Sequence, residues 1–134
     1  MTDQQPPAWY LALQQRARDE AHSVPAATAR ATEFSVNCLP DDDLDSFAFE
    51  VRVQYRGAGR YAVIRSGDMC LGADGTWDHG VKEYDRGDDW LNAHRFDLAT
   101  ALRLAKEQAP LVTVNGHTVS DALAMRRKRV DRDG

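Results

Sequence analysis

The segment from Phe96 to Ala109, followed by Pro110, has the sequence of an amphipathic helix with a defined start, face and end. Asp97 suits the N-cap because its carboxylate can accept hydrogen bonds from the free N–H groups of the first turn. Pro110 disfavours helical geometry in the residue before it and so predicts the end of the helix. The apolar residues recur at steps of three and four and form one stripe, made of Leu98, Ala101, Leu102, Ala105 and Ala109. Such a stripe must pack against another apolar surface, which the rest of the chain has to supply.

Upstream of this helix, apolar and polar residues alternate with the period of half-buried strands. The clearest alternation predicts one dry face made of Phe47, Phe49, Val51, Val53 and Tyr55. Further strand-like runs are Thr32–Cys38, Tyr61–Arg65 and Met69–Leu71, with a further pairing at Thr76–Asp78. Short turns join these runs, so neighbouring strands should be antiparallel. The sequence therefore predicts an α+β fold, in which an antiparallel meander of about four strands is covered on one face by the amphipathic helix.

The flanking segments predict two smaller additions to this fold. Pro6 and Pro7 precede a helical pattern from Trp9 to Glu20, and we expect this N-terminal helix to pack beside the sheet. After Pro110, two short β-branched runs surround an Asn115-Gly116 turn, and Ser120 is the expected cap of a last helix. The length of 134 residues fits one domain over 1–134, with 1–5 and 126–134 as frayed tails.

The termini and the cysteines indicate a cytoplasmic protein. The first ten residues lack the basic and then apolar pattern of a signal peptide, and no apolar run is long enough for a membrane span. Cys38 and Cys70 both fall in strand-like runs, so in a reducing compartment we expect two buried free thiols.

Charge is distributed unevenly along the chain. The total is −4, but residues 126–134 carry +3 and leave −7 for the rest. An acidic body disfavours nonspecific binding of nucleic acid, whereas the basic cluster Arg126, Arg127, Lys128 and Arg129 would favour it. Solvated cations at a helix C-terminus are the simpler interpretation of that cluster. The acidic run Asp41, Asp42, Asp43 and Asp45 is equally open, either as a solvated turn or as a patch for a basic partner.

The segment from Trp77 to Arg95 is the part of the chain that packing explains least. It is long for a connection, and it combines Trp77 and Trp90 with several carboxylates and the histidines His79 and His94. Three interpretations stay open: a solvated loop anchored by its tryptophans, a protein-recognition loop, and a metal or catalytic site. Its spacings match neither an EF-hand nor HExxH, and the chain contains no CxxC, Walker loop, GxGxxG or GxSxG. No catalytic residue, metal ligand or cofactor is therefore predicted, and an enzyme is the minority expectation.

The C-terminal half carries one resemblance. The order DGTWD, a charged stretch, RFDLATALRLA and then VTVNGHTVSDAL, from Asp74 to Leu123, resembles small uncharacterised proteins of actinobacteria and their phages. This resemblance implies no activity, so it assigns a role to no residue.

These observations predict a small acidic binding module that acts by protein–protein interaction, as an accessory or inhibitory protein. Nucleic-acid binding through the basic tail is the alternative, and a homodimer could form through an exposed sheet edge. The predicted contact residues are aromatic and acidic side chains from two regions: Asp41, Asp42, Asp43, Asp45, Trp77, Asp78, Asp89 and Trp90.

Overall fold

The computed structural model describes residues 4–80 and 83–133. The chain divides into two compact units, with the boundary between Arg30 and Ala31. The first unit contains helix α1 (Ala8–Glu20) and a 3₁₀ turn (Ala21–Ser23). The predicted N-terminal helix is thus confirmed, whereas its packing beside the sheet stays a prediction. Of the predicted frayed tails, residues 1–3 and 134 lie outside the described residues.

The second unit is built on an antiparallel sheet in which each strand pairs with the next along the chain. This meander confirms the predicted α+β class, and the pairing suggested near Thr76 adds a fifth strand at one edge. The strands are β1 (Glu33–Val36), β2 (Val51–Gly57), β3 (Arg60–Arg65), β4 (Met69–Leu71) and β5 (Trp77–His79).

The predicted amphipathic helix, α3 (Leu98–Gln108), packs on one face of the sheet. Asp97 caps it as predicted, accepting a hydrogen bond of 2.8 Å from the backbone N–H of Thr100. The helix ends before a 3₁₀ turn that contains Pro110. Its stripe and the dry face of the sheet share one core, and each fully buried valine there stabilises the fold by about 1.5–3 kcal/mol. Residues with no exposed surface in this core include Val51, Val53, Val63, Leu71, Ala101 and Ala105.

A small hairpin and the last helix follow α3. Strands β6 (Thr113–Val114) and β7 (His117–Thr118) are joined by Asn115 and Gly116, whose positive φ values of 50° and 80° fit the predicted type I′ turn. Helix α4 (Val119–Asp133) comes next. The predicted Ser120 cap is wrong: Thr118 and Asp121 cap each other's backbone N–H groups at 3.0 and 3.1 Å, so the helix begins before Ser120.

The strand predicted to begin at Phe47 begins only at Val51. Residues Ser46–Phe49 form a 3₁₀ turn, because the N–H groups of Ser46 and Ala48 bond to carbonyls of the preceding loop. The turn breaks the alternation, so Phe49 is buried while Phe47 is exposed. The prediction that Phe47 shares the dry face is therefore wrong.

Two further predictions need correction. The segment from Trp77 to Arg95 is more than a loop, since it contains β5, a 3₁₀ turn (Glu83–Asp85) and helix α2 (Asp88–Ala93). Of the two free cysteines, Cys70 is buried but Cys38 is exposed. Because β1 ends at Val36, Cys38 lies beyond the strand that was expected to bury it.

Candidate functional site

The loop over residues 40–49, called the 40–49 loop below, is held by its own hydrogen bonds. The side chain of Asn37 joins its two ends, donating to the carbonyl of Ser46 at 2.6 Å and accepting from the N–H of Leu39 at 2.9 Å. Inside the loop, Asp43 Oδ1 accepts from the N–H of Asp45 at 2.8 Å. The buried side chains of Leu39 and Phe49 fix both ends in the core. The loop is therefore ordered in the free chain.

Ion pairs to helix α4 hold the same loop from outside. The side chain of Asp43 is fully buried, and it lies 3.8 Å from Arg126 Nη1 and 3.5 Å from Arg129 Nη2. Arg126 also reaches Asp42 at 3.1 Å, and Arg129 reaches Asp45 at 3.5 Å. The acidic run and half of the basic cluster were predicted as separate interaction surfaces, but the structure places them against each other.

The 40–49 loop exposes two large apolar side chains to solvent. Leu44 and Phe47 each retain 75% of their accessible surface. Phe47 forms one lip of a cleft of about 260 Å³ between the loop, the β6–β7 hairpin and α4. We call this feature the cleft, and it is lined by Asp45, Phe47, Ala48, Phe49, Val114, Asn115, His117, Ala122 and Met125. An apolar cavity beside exposed apolar side chains is typical of a protein-binding surface.

In the 77–95 segment, Asp78 and Trp90 both contact the side chain of His94. The imidazole of His94 is buried, with Nε2 at 2.9 Å from Asp78 Oδ2 and Nδ1 at 2.7 Å from the carbonyl of Trp90. The ring of Trp90 stacks on His94 at 3.9 Å between centroids, and the guanidinium of Arg86 lies 4.8 Å from the Trp90 ring. Asp78 and Trp90 are thereby engaged within the fold.

Trp77 and Asp89, the other two predicted contact residues of the 77–95 segment, also have local roles. Trp77 packs on the core and donates from Nε1 to Gln108 Oε1 at 3.3 Å. Asp89 is exposed in the first turn of α2, where a carboxylate interacts favourably with the helix dipole.

The eight predicted contact residues do not form one surface. The acidic run follows β1 at one edge of the sheet, and Trp77 and Asp78 lie in β5 at the other. These edges are four strand spacings apart, or about 19 Å.

The polar face of the sheet carries a second groove, of about 420 Å³, whose carboxylate Glu83 is paired with two arginines. Glu83 Oε2 accepts from Arg95 at 2.8 Å and from Arg56 at 3.2 Å. Cys70 lines the same groove. Burial, reinforced by the negative charge of Glu83, raises the pKa of its thiol to about 11. That thiol stays protonated at neutral pH and is a poor nucleophile.

The metal interpretation of the 77–95 region also finds no support in the geometry. His79 is exposed and does not join the pair of His94 and Asp78. Within residues 4–80 and 83–133, no group of three His, Cys, Asp or Glu side chains is arranged to hold a metal ion. The Thr76 hydroxyl and N–H lower the pKa of Asp74, so the turn that approaches His94 carries a stable negative charge.

Comparison with known proteins finds no matching family model, no matching curated protein and no matching solved structure. The resemblance of the C-terminal half therefore stays a prediction. In the part of the chain that the structure describes, no helix combines the length and the apolar content that crossing a membrane requires.

The sequence prediction missed Leu44 and Phe47, although a signal was present. Leu44 is a single large apolar residue inside an aspartate run, where a solvated turn needs none. Phe47 continues the alternation of β2, which predicts a buried position on the dry face of the sheet. The pairing of the aspartate run with Arg126 and Arg129 joins positions more than eighty residues apart. Only the opposite charges of the two segments could have suggested it.

Proposed function

We propose that the chain is a protein-binding module whose contact surface consists of the 40–49 loop and the cleft beside it. One observation carries this proposal: Leu44 and Phe47 are 75% exposed on a loop that hydrogen bonds and ion pairs hold in place. A single exposed apolar residue is ordinary on a protein surface. Two large ones on one ordered loop, next to an apolar cavity, are what an interface uses.

The order of the loop matters for affinity. Binding normally costs about 0.5–1.5 kcal/mol for each long side chain that becomes immobilised, and more when a loop must fold on contact. Because the Asn37 and Asp43 bonds are already made, little of that cost would arise when a partner binds. An aromatic anchor such as Phe47, placed beside a partly apolar cleft, is typical of the residues that dominate binding energy. Such a module would act by occupying a partner's surface, as an accessory or inhibitory protein does.

The alternative, nucleic-acid binding through Arg126, Arg127, Lys128 and Arg129, has weaker support. Arg126 and Arg129 pair with the acidic loop, so a phosphate would have to displace carboxylates already in place. The neighbouring aspartates would also repel the nucleic-acid backbone. Protein binding is therefore the better supported function.

Affinity capture with matched variants tests the proposal. Purified wild-type chain, a Leu44→Ser/Phe47→Ser double variant and a Leu111→Ser control are each immobilised against a lysate of the source organism. Leu111 is 67% exposed but does not line the cleft, so it controls for general stickiness. We expect proteins retained by the wild type and the control to be lost with the double variant. If the double variant retains the same proteins, or if the wild type retains none, the proposal is wrong.

A further inference from the structure

We infer that the partner of this surface is a basic peptide segment, in which one large apolar side chain enters the cleft and flanking Lys or Arg side chains contact its acidic rim. This inference rests on the proposed function and specifies the chemistry of the partner. It follows from the size and lining of the cleft and from the exposed carboxylates of the 40–49 loop.

The cleft has the size of a receptor for a side chain. At about 260 Å³ it is smaller than the roughly 300–1,000 Å³ of pockets that enclose whole small-molecule ligands. Its lining includes the apolar side chains of Ala48, Phe49, Val114 and Ala122. Met125 forms part of the wall, and the flexible thioether of methionine adapts to apolar groups of different shape. An aliphatic or aromatic side chain of a partner therefore suits the cavity.

The acidic rim consists of the carboxylates of Asp42 and Asp45 in the 40–49 loop, and of these Asp45 lines the cleft. The guanidiniums of Arg126 and Arg129 are shared among three carboxylates of the loop, those of Asp42, Asp43 and Asp45. The Asp42 side chain nevertheless keeps 75% of its surface and that of Asp45 keeps 42%, so both remain open to a further cation. Each new exposed ion pair would add about 0.2–1 kcal/mol, and the rim would repel acidic partners.

Two further acidic residues, Asp41 and Asp121, add to the negative charge around the cleft. Asp41 is exposed at the start of the run, and Asp121 is half-exposed at the start of α4, one residue before Ala122, which lines the cleft. His117, which lines the cleft, lies 3.9 Å from Asp121. A partner with cations on both sides of its apolar anchor would therefore meet carboxylates on either side.

Selection from a random displayed-peptide library on the full chain tests the inference without a known partner. Selected peptides are synthesised, and their affinities are measured by calorimetry against the wild type, the Leu44→Ser/Phe47→Ser variant and three further variants. Ala48→Trp places a large side chain in the cleft that Ala48 lines, Asp42→Asn/Asp45→Asn removes the rim charges, and Asp89→Asn removes an exposed carboxylate from another helix. We expect enriched peptides to carry one large apolar residue between Lys or Arg residues.

The variants should then separate the two contributions. Ala48→Trp should abolish measurable binding, Asp42→Asn/Asp45→Asn should weaken it roughly 3- to 10-fold and flatten its salt dependence, and Asp89→Asn should leave it unchanged. Enriched peptides that are acidic or uncharged but still need Phe47 would overturn the inference and leave the proposed function standing. Self-association of the chain through Phe47, measured by sedimentation, would likewise overturn the inference and leave the proposed function standing. Peptides that bind equally to a Leu44→Ser/Phe47→Ser variant would overturn both.

Discussion

The 40–49 loop and the 77–95 segment are alike in sequence, since each mixes large apolar residues with aspartates, but the fold uses them in opposite ways. In the 77–95 segment, Trp90 stacks on the buried His94 and Trp77 packs on the core. In the 40–49 loop a carboxylate, Asp43, is buried, while Leu44 and Phe47 face solvent. The 77–95 segment packs both of its tryptophans against the fold, whereas the 40–49 loop buries Phe49 and exposes Leu44 and Phe47.

The difference shows that neighbours decide how such residues are used, more than composition does. Trp77 and Trp90 each find partners on nearby elements, such as Gln108 of α3 and His94 after α2. The 40–49 loop instead pairs its polar groups with Asn37 and the arginines of α4, although the buried Asp43 Oδ2 accepts no hydrogen bond and has only the charge of Arg126 at 3.8 Å. Once Asp43 occupies the inside of the loop, the apolar residues beside it are left outside.

The largest expected effect comes from truncating one aromatic residue in each region. Trp90→Ala should lower the free energy of unfolding by about 2 kcal/mol, because it removes the stack on His94 and the contact with Arg86. Phe47→Ala should change it by less than about 0.5 kcal/mol, because that ring is exposed. Urea denaturation of both variants measures the difference, and equal losses would contradict the contrast between the two regions.

The next effect concerns the buried carboxylate. Asp43→Asn keeps the shape of the side chain but removes the charge that faces Arg126 and Arg129, so stability should fall by about 1–2 kcal/mol. Asp41→Asn, in the same run but exposed, is the matched control and should be nearly neutral. If both substitutions prove equally harmless in urea denaturation, the ion pairs with α4 do not hold the loop.

The two cysteines should differ in their reactivity, because Cys38 is exposed and Cys70 is buried. Cys38 is exposed near the outward loop, so a thiol reagent should modify it in the native protein at neutral pH. Cys70 should react only after unfolding, because it is buried and its pKa is raised to about 11. Mass spectrometry of Cys38→Ser and Cys70→Ser variants separates the two rates. Rapid native labelling of Cys70 would show that the region above it is open.

The smallest effect is a dependence of stability on pH at the turn next to His94. The hydroxyl and N–H of Thr76 hold the pKa of Asp74 below its ordinary value of 3.8. The stability that this carboxylate contributes is therefore present above pH 3.8 and is lost as the pH falls through the lower folded value. Unfolding of Asp74→Asn should show a shallower acid dependence than the wild type below pH 4, with Asp85→Asn as the exposed control. Identical acid profiles of the wild type and Asp74→Asn would show that Asp74 does not contribute to the acid dependence of stability.

Sequence patterns predicted the parts of the fold that rest on local rules. The Asp97 cap, the stripe of α3 and the Asn115-Gly116 turn depend on neighbouring residues, and the structure confirms them. The side chains at the candidate surface depend on distant partners instead. No periodicity could show that Asp43 would meet Arg126 and Arg129, or that a turn at Ser46 would push Phe47 out of the strand. The sequence therefore predicted only part of the site: it identified the acidic run and the basic cluster, but neither their pairing nor the exposure of Leu44 and Phe47.

The central claim is that the 40–49 loop is ordered in the free protein while it exposes Leu44 and Phe47. Amide hydrogen exchange, followed by NMR on the chain without a partner, tests it most directly. Five amides should exchange far more slowly than an unstructured chain, because each donates to a named acceptor: Leu39, Asp43, Asp45, Ser46 and Ala48. Exchange of all five at the rates of an unstructured chain would show that the loop is not preorganised, and would contradict the claim.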